Sequence, residues 1–344
     1  MNTTPPASFD DAAFDELLGF LRAESGSLET PGAWPSEQMQ HLARAGVTGW
    51  RVPKQWAGSD LSPPALLSGY EKLTQACLVT TFVLTQQDAA CHRIRGSDAQ
   101  AVKELLLPRI VSGEIFVTVG ISHLTTSGQH LSRPAVEVRE TDRGYVLNGT
   151  APWVSGAVHA DYIVNGGTLP DGRQVLAAVP TDTPGLEACT PANMLALNAS
   201  KTGPLSLNDV EIDRELLIAG PIENVMKHGQ GGTGSLTTSA VAIGAAGGSL
   251  SRLRIEAENR PELTEILDSL TREHQVLRDD LFQAASDECD DARFAMQAIR
   301  KRANSLVVRS AQFSLNGQQK GAFRGTRRAV RRDARRRPRL WAST

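Results

Sequence analysis

Four cysteines in 344 residues, none of them in a CxxC pair, give this sequence neither a disulfide framework nor a zinc ribbon. Cys77, Cys91, Cys189 and Cys289 are scattered and read as reduced thiols in a cytoplasmic protein. No apolar run approaches the roughly 18 residues of a membrane span. The opening MNTTPPASFDDAAFDELL is acidic and lacks the basic and apolar regions of a signal peptide. Gly-x-Ser-x-Gly, P-loop and repeat signatures are also missing. These absences argue against a secreted disulfide scaffold, a membrane helix, an elbow-type hydrolase and a P-loop nucleotide site.

The composition is that of a water-soluble globular protein, 40% hydrophobic and 22% charged. The length predicts about two or three packed units. A net charge of −2 conceals an asymmetry. Residues 321–344, GAFRGTRRAVRRDARRRPRLWAST, hold nine arginines and one aspartate, which leaves −10 for the rest. Three readings stand for this stretch: a non-native or frame-shifted end, a solvated basic tail, or a nucleic-acid-binding segment. Zinc-ligand spacing is lacking and Phe323 and Trp341 are its only aromatics, so no nucleic-acid function is assigned.

Along the chain the hydrophobic period changes twice. FDELLGFL, WPSEQMQHLARAG and a long stretch from SPPALL to CHRI carry apolar residues at helical intervals. Ser62 before Pro63, and Ser97 before DAQAVKELLL, are candidate N-caps. AVEVRE, GYVLNG, DYIVNGG, QVLAAVP and SLNDVEI are short and strand-like, separated by Gly, Asp and Pro turns. Long helical segments return after Pro221. The expectation is an α+β multi-domain chain. An N-terminal α-helical domain (9–115) leads to a middle antiparallel β-domain (116–220) of six to eight strands. A C-terminal helical bundle (221–320), incomplete at three long helices, and the arginine-rich tail (321–344), disordered or non-native, follow.

One stretch asks for more than a sheet. GYVLNGTAPWVSGAVHADYIV, residues 144–164, places an indole, a hydroxyl and a glycine within four residues at a strand end. Trp153 and Ser155 taken alone would be a core tryptophan and a strand-end serine. With the helix–sheet–helix order, however, Asn148-Gly149 followed by Trp153-Val154-Ser155 resembles the acyl-CoA dehydrogenase superfamily of flavoproteins, and RVPKQWAGSD resembles its segment after the second helix. The resemblance spans roughly residues 10–320. It implies FAD, with FMN as the alternative, held between the β-domain and the bundle. Trp153 would pack beside the isoalloxazine, and the Ser155 hydroxyl would meet flavin N5, where a donor–acceptor group suits both redox states. Ser122 and His123 would touch the pyrimidine edge, and Gly128 and Gln129 fall in the segment that implies substrate contact.

The pattern also departs from the family. Its Thr-Glu-Pro-x-x-Gly-Ser-Asp segment corresponds here to His123-Leu124-Thr125-Thr126-Ser127-Gly128-Gln129-His130, which keeps only Gly128. Desaturation of an acyl thioester needs a carboxylate base. The family's C-terminal glutamate finds no counterpart, and its other base position falls on Gly234-Ser235-Leu236, so the catalytic residue is unknown. Glu256, Glu258 and Glu262 read as a solvated helix face. Two-component flavin monooxygenases share the fold and need no such base. Ser155-Gly156-Ala157-Val158-His159-Ala160 fits half of their motif, although His159 reads equally as a surface residue. A catalytically silent scaffold is the third reading.

Competing motifs are weaker. GQGGTG at 229–234 matches a dinucleotide fingerprint, but no buried strand precedes it. His123 and His130 lack a third ligand, so no metal is expected. The expected partners are a small-molecule substrate (an acyl-CoA by resemblance), an electron acceptor or flavin reductase, and further copies of the chain in a homodimer or homotetramer. Neither nucleic acid nor membrane is expected as a partner.

Overall fold

Asp11 starts the first helix by accepting a hydrogen bond from Ala13 N at 3.1 Å, and α1 (Ala12–Ala23) then buries Phe14, Leu17, Leu18 and Leu21. Their spacing keeps one face inward and leaves the acidic residues outside. The computed structural model describes residues 11–125, 133–227, 236–286 and 296–315. Two compact units contain them, Met1–Val241 and Ala242–Thr344.

In the first unit α2 (Ser36–Arg44), α3 (Pro63–Ala76), α4 (Leu78–Arg95) and α5 (Gln100–Ser112) follow. The stretch from SPPALL to CHRI is two helices, because Cys77 takes an extended conformation between them. Ser62 precedes Pro63 at the helix start but its side chain makes no capping bond. Ser97 lies two positions before the N-cap, which is Ala99. Its hydroxyl accepts from Ala99 N at 3.0 Å and donates to the Ile218 carbonyl at 2.5 Å, tying the start of α5 to the sheet.

The sheet comprises β1 (Val117–Gly120), then, after the single turn α6 (Ser122–Thr125), β2 (Val136–Glu140), β3 (Gly144–Val154), β4 (Tyr162–Thr168), β5 (Gln174–Pro180), β6 (Leu186–Ala188), β7 (Gly203–Asp213) and β8 (Leu217–Ile222). Its order is β6-β7-β3-β2-β4-β5-β8, with β1 beside β4. Most pairs are antiparallel, as the sequence suggests, but β1 runs parallel to β4 over four residue pairs and β2 meets β4 in parallel at Glu137 and Thr168. A strand that enters straight from a helix can pair in this direction without a hairpin.

Strands β4 and β5 are buried on both faces, which explains their nearly unbroken apolar runs. Val164, Leu176 and Ala178 pack with α4 and α5 residues such as Ala90, Ile94, Leu106 and Ile110. Ile163, Val175, Ala177 and Val179 face the opposite core with Leu147, Ala151, Leu205 and Leu207. The side-chain period of two assigns neighbouring residues to different cores.

The second unit consists, among the described residues, of α7 (Leu236–Glu258), whose first turns belong to the first unit, α8 (Thr264–Ser286) and a helix over 296–315. Leu267, Leu270, Leu277 and Leu281 line one face of α8, and Ile299, Ala303 and Leu306 are buried along the last helix. Arg309 pairs with Glu273 at 2.5 Å, and Arg302 pairs with Asp280. Among the described residues no helix is long and apolar enough to cross a membrane.

Candidate functional site

Strand β1 and the end of β3 lie side by side. The Thr118 hydroxyl donates to the Ser155 carbonyl at 2.7 Å. Gly120 sits so close to Val154 and Asn165 that a Cβ there would come within 2.8 Å of each. Glycine at 120 is therefore a packing requirement, and it lets the two strand ends close into one corner. Asn165, fully buried on β4, donates to the Gly120 carbonyl at 2.6 Å and fixes that end of β1.

Trp153 is the last but one residue of β3, Ser155 comes just after it, and Ser122 and His123 follow β1 after Ile121. Trp153 is 52% exposed, an indole half in water. Ser155 is only 5% exposed, and its hydroxyl lies 2.8 Å from that of Thr202, which lies 2.8 Å from that of Ser200. The Ser122 Oγ is buried and has no hydrogen-bond partner among the described residues. His123 Nε2 lies 2.8 Å from the Gly166 carbonyl, so it carries the proton and donates. Burial lowers the His123 pKa, which favours the neutral ring and leaves the buried Nδ1 as an acceptor without a partner among the described residues.

Two unpartnered buried polar atoms in consecutive residues are a cost that a folded chain rarely carries without a use. A flat heteroaromatic ring offers both a face for the Trp153 indole and an edge of N–H and C=O groups for Ser122 and His123. An isoalloxazine is such a ring, and the residues present fit it.

Gly156, His159 and Ala157 have a different task. Gly156 adopts φ 70°, and a Cβ on it would lie 2.7 Å from Trp34 and 2.8 Å from Phe116. His159 stacks on Trp34 with ring centroids 4.4 Å apart, while Phe116 meets the same indole edge-on at 5.4 Å. The glycine and the histidine thus admit Trp34, from the loop before α2, against the turn after β3. Nothing in the sequence around residue 156 indicates this partner.

The interior of the helical layer holds a second polar group. The Tyr70 hydroxyl donates to the Asp88 carboxylate, both buried. Burial pushes the Asp88 pKa up to about 7, against the opposing effects of the Tyr70 hydrogen bond and the Arg51 charge. Burial also brings His92 down to about 4, helped by Arg51, Arg93 and Arg95. Gln87 and Asp88 are buried inside the helical core.

Several sequence motifs lie outside the described residues: Gly128, Gln129 and His130, the GQGGTG run, Gly234-Ser235, Cys289 and the arginine-rich stretch 321–344. Leu236, the last residue of the second base position, begins α7 and is apolar. Ser200, Thr202 and Asn165 were not singled out by the sequence. A serine and a threonine flanking a lysine carry no signal until the fold brings them to Ser155.

Residues 20–114 match the family described as "Acyl-CoA dehydrogenase, N-terminal domain". The chain is 23% identical over 252 residues to a probable acyl-CoA dehydrogenase, YngJ, of Bacillus subtilis (strain 168), covering 70% of this chain and 65% of that protein. It is 26% identical over 162 residues to HsaA, the oxygenase subunit of a flavin-dependent monooxygenase of Rhodococcus jostii (strain RHA1), covering 47% of this chain and 39% of that one. The chain thus spans less than two thirds of the length of these relatives. Among solved structures, that of a glutaryl-coenzyme A dehydrogenase in complex with glutaryl-CoA superposes with a TM-score of 0.74 at 16% identity, over 89% of this chain and 85% of that one.

Proposed function

For a chain that belongs to the acyl-CoA dehydrogenase superfamily by its N-terminal domain and its fold, we propose a flavin-dependent oxidoreductase that oxidises an acyl-CoA thioester at the α and β carbons. The observation that carries the reading is the pair of consecutive buried polar atoms, Ser122 Oγ and His123 Nδ1, without partners among the described residues, after a strand whose Thr118 bonds Ser155, next but one to the half-exposed Trp153.

Trp153 packs on the ring, Ser155 meets its central nitrogen, and Ser122 and His123 satisfy its polar edge. FAD is the expected form and FMN the alternative. Bound there, the flavin supplies a two-electron acceptor for a hydride from the substrate. The protein excludes water with the apolar strands behind the corner and holds the ring's orientation through Ser155 and Ser122. Gly128 and Gln129 are proposed for the substrate side. Removal of the α-proton needs a base, and no described side chain is assigned to it. A separate electron acceptor regenerates the cofactor, in a cytoplasmic homodimer or homotetramer.

A second reading, oxygen insertion by a two-component monooxygenase, draws on one observation. The Ser155-Gly156-x-x-His159-Ala160 string fits that branch, and HsaA, similar to this chain, is a monooxygenase subunit. Its histidine, however, is occupied in stacking on Trp34. Anaerobic titration of flavin-loaded protein with acyl-CoAs of several chain lengths tests the proposal. Bleaching of the flavin band supports the dehydrogenase. Inertness to every acyl-CoA, with oxygen-dependent hydroxylation once a flavin reductase is added, supports the monooxygenase instead. Loaded protein inert in both assays would leave the silent scaffold.

A further inference from the structure

Ser200, Thr202 and Ser155 form a chain of three hydroxyls, each step 2.8 Å long. Lys201, at φ 48°, turns the backbone between the first two so that their side chains meet. The Ser155 backbone is held from both sides, since Thr118 donates to its carbonyl and the next amide, Gly156 N, donates to the Lys201 carbonyl at 3.2 Å. Ser200 is 0% exposed, Thr202 8% and Ser155 5%.

Three hydroxyls carry three protons but share two hydrogen bonds, so the direction of the chain decides which proton is left over. Among the described residues the only side-chain partner of Ser200 is Thr202. Were Ser200 the acceptor, its own O–H would stay buried with nowhere to donate, at the full cost of desolvating it. Thr202 accepting from both neighbours would likewise leave its own O–H without a partner, whereas Ser155 gains one when a ring acceptor lies beside it, so with the ring bound the direction runs from Ser200 to Thr202 to Ser155. The proton left over is then that of Ser155, which it can give to the ring.

We infer that Ser200 and Thr202 are positioning residues that hold the Ser155 hydroxyl as a hydrogen-bond donor, so that the site favours an acceptor atom at that point. This rests on the flavin reading. The oxidised ring presents an acceptor at its central nitrogen, whereas the reduced ring presents N–H there. The donor-fixed serine therefore selects the oxidised cofactor, and the rotatable group expected from the sequence alone loses half of its freedom. Each link polarises the next, which strengthens the terminal donor.

Binding of FAD in the oxidised form, and of dithionite-reduced FAD under argon, to the full chain tests this. Thr202→Val keeps the shape and removes the link. It is expected to weaken binding of oxidised FAD roughly tenfold, the worth of about one hydrogen bond, and to leave reduced FAD within about twofold. Thr202→Ser restores the link and should behave as the wild type, while Ser200→Ala should shift the ratio the same way by less. Equal losses for both forms, or no loss in Thr202→Val, would overturn the inference. Failure of the wild-type chain to bind FAD at all would instead sink the flavin reading on which it rests.

Discussion

The indole of Trp34 lies parallel to the imidazole of His159 within 23°, and Gly156 provides the space for it. Gly156→Ala adds a methyl group 2.7 Å from that indole and forces an alanine to φ 70°. The substitution is expected to cost about 3 kcal/mol, combining left-handed strain with overpacking. Urea unfolding measures this, and a loss below about 0.5 kcal/mol would show that the loop bearing Trp34 simply moves aside. His159→Phe keeps the stack and should leave stability nearly unchanged, which a histidine needed for its charge would not allow.

Asp88 predicts a pH dependence of known sign. Its carboxyl is pushed up to about 7 in the fold from an ordinary value of 3.8, so between these pH values the native state holds more protons than the unfolded one. Stability from this group is full below about pH 4 and is lost as pH rises through about 7. Asp88→Asn keeps an acceptor for the Tyr70 hydroxyl without the charge. Relative to wild type it should gain roughly 3 kcal/mol between pH 4 and pH 8. His92, lowered to about 4, acts in the opposite sense: its contribution is present above about pH 6.5 and lost as pH falls towards 4. The difference between the two proteins cancels that background. Parallel stability curves for Asp88→Asn and wild type would contradict the assignment.

Asn165 is predicted to be a structural hinge-pin of the corner. Asn165→Leu removes the donor to the Gly120 carbonyl in a fully buried place and should cost about 1–3 kcal/mol. Because β1 leads into Ser122, FAD affinity should fall with it. Thermal melts with and without FAD report both effects, and an unchanged affinity would separate Asn165 from the site.

How much of this was legible differs by element. Strands β2, β3, β4, β5 and β7 announce themselves through alternation or double-sided burial, and α1 through its apolar spacing. Strand β1 is four residues long and follows a helix, and β8 contains Gly220-Pro221, so neither carries a strong local pattern. The grouping of Trp153 and Ser155 with Ser122 and His123 is an expectation from the resemblance; the parallel pairing of β1 with β4 and the Thr118–Ser155 bond are what the fold adds and no sequence pattern announces. The hydroxyl chain was not legible. It joins Ser155 to Thr202, 47 positions away, and the side-chain period of a strand says nothing about what lies across it.

Flavin uptake by wild-type protein beside Trp153→Ala and Ser122→Ala, followed by absorbance and equilibrium dialysis, tests the account most directly. About one FAD or FMN per chain is expected for wild type, with affinity lowered on the order of tenfold or more in Trp153→Ala and severalfold in Ser122→Ala. Well-folded wild-type protein that stays colourless with either flavin, or variants that bind as tightly as wild type, would contradict it.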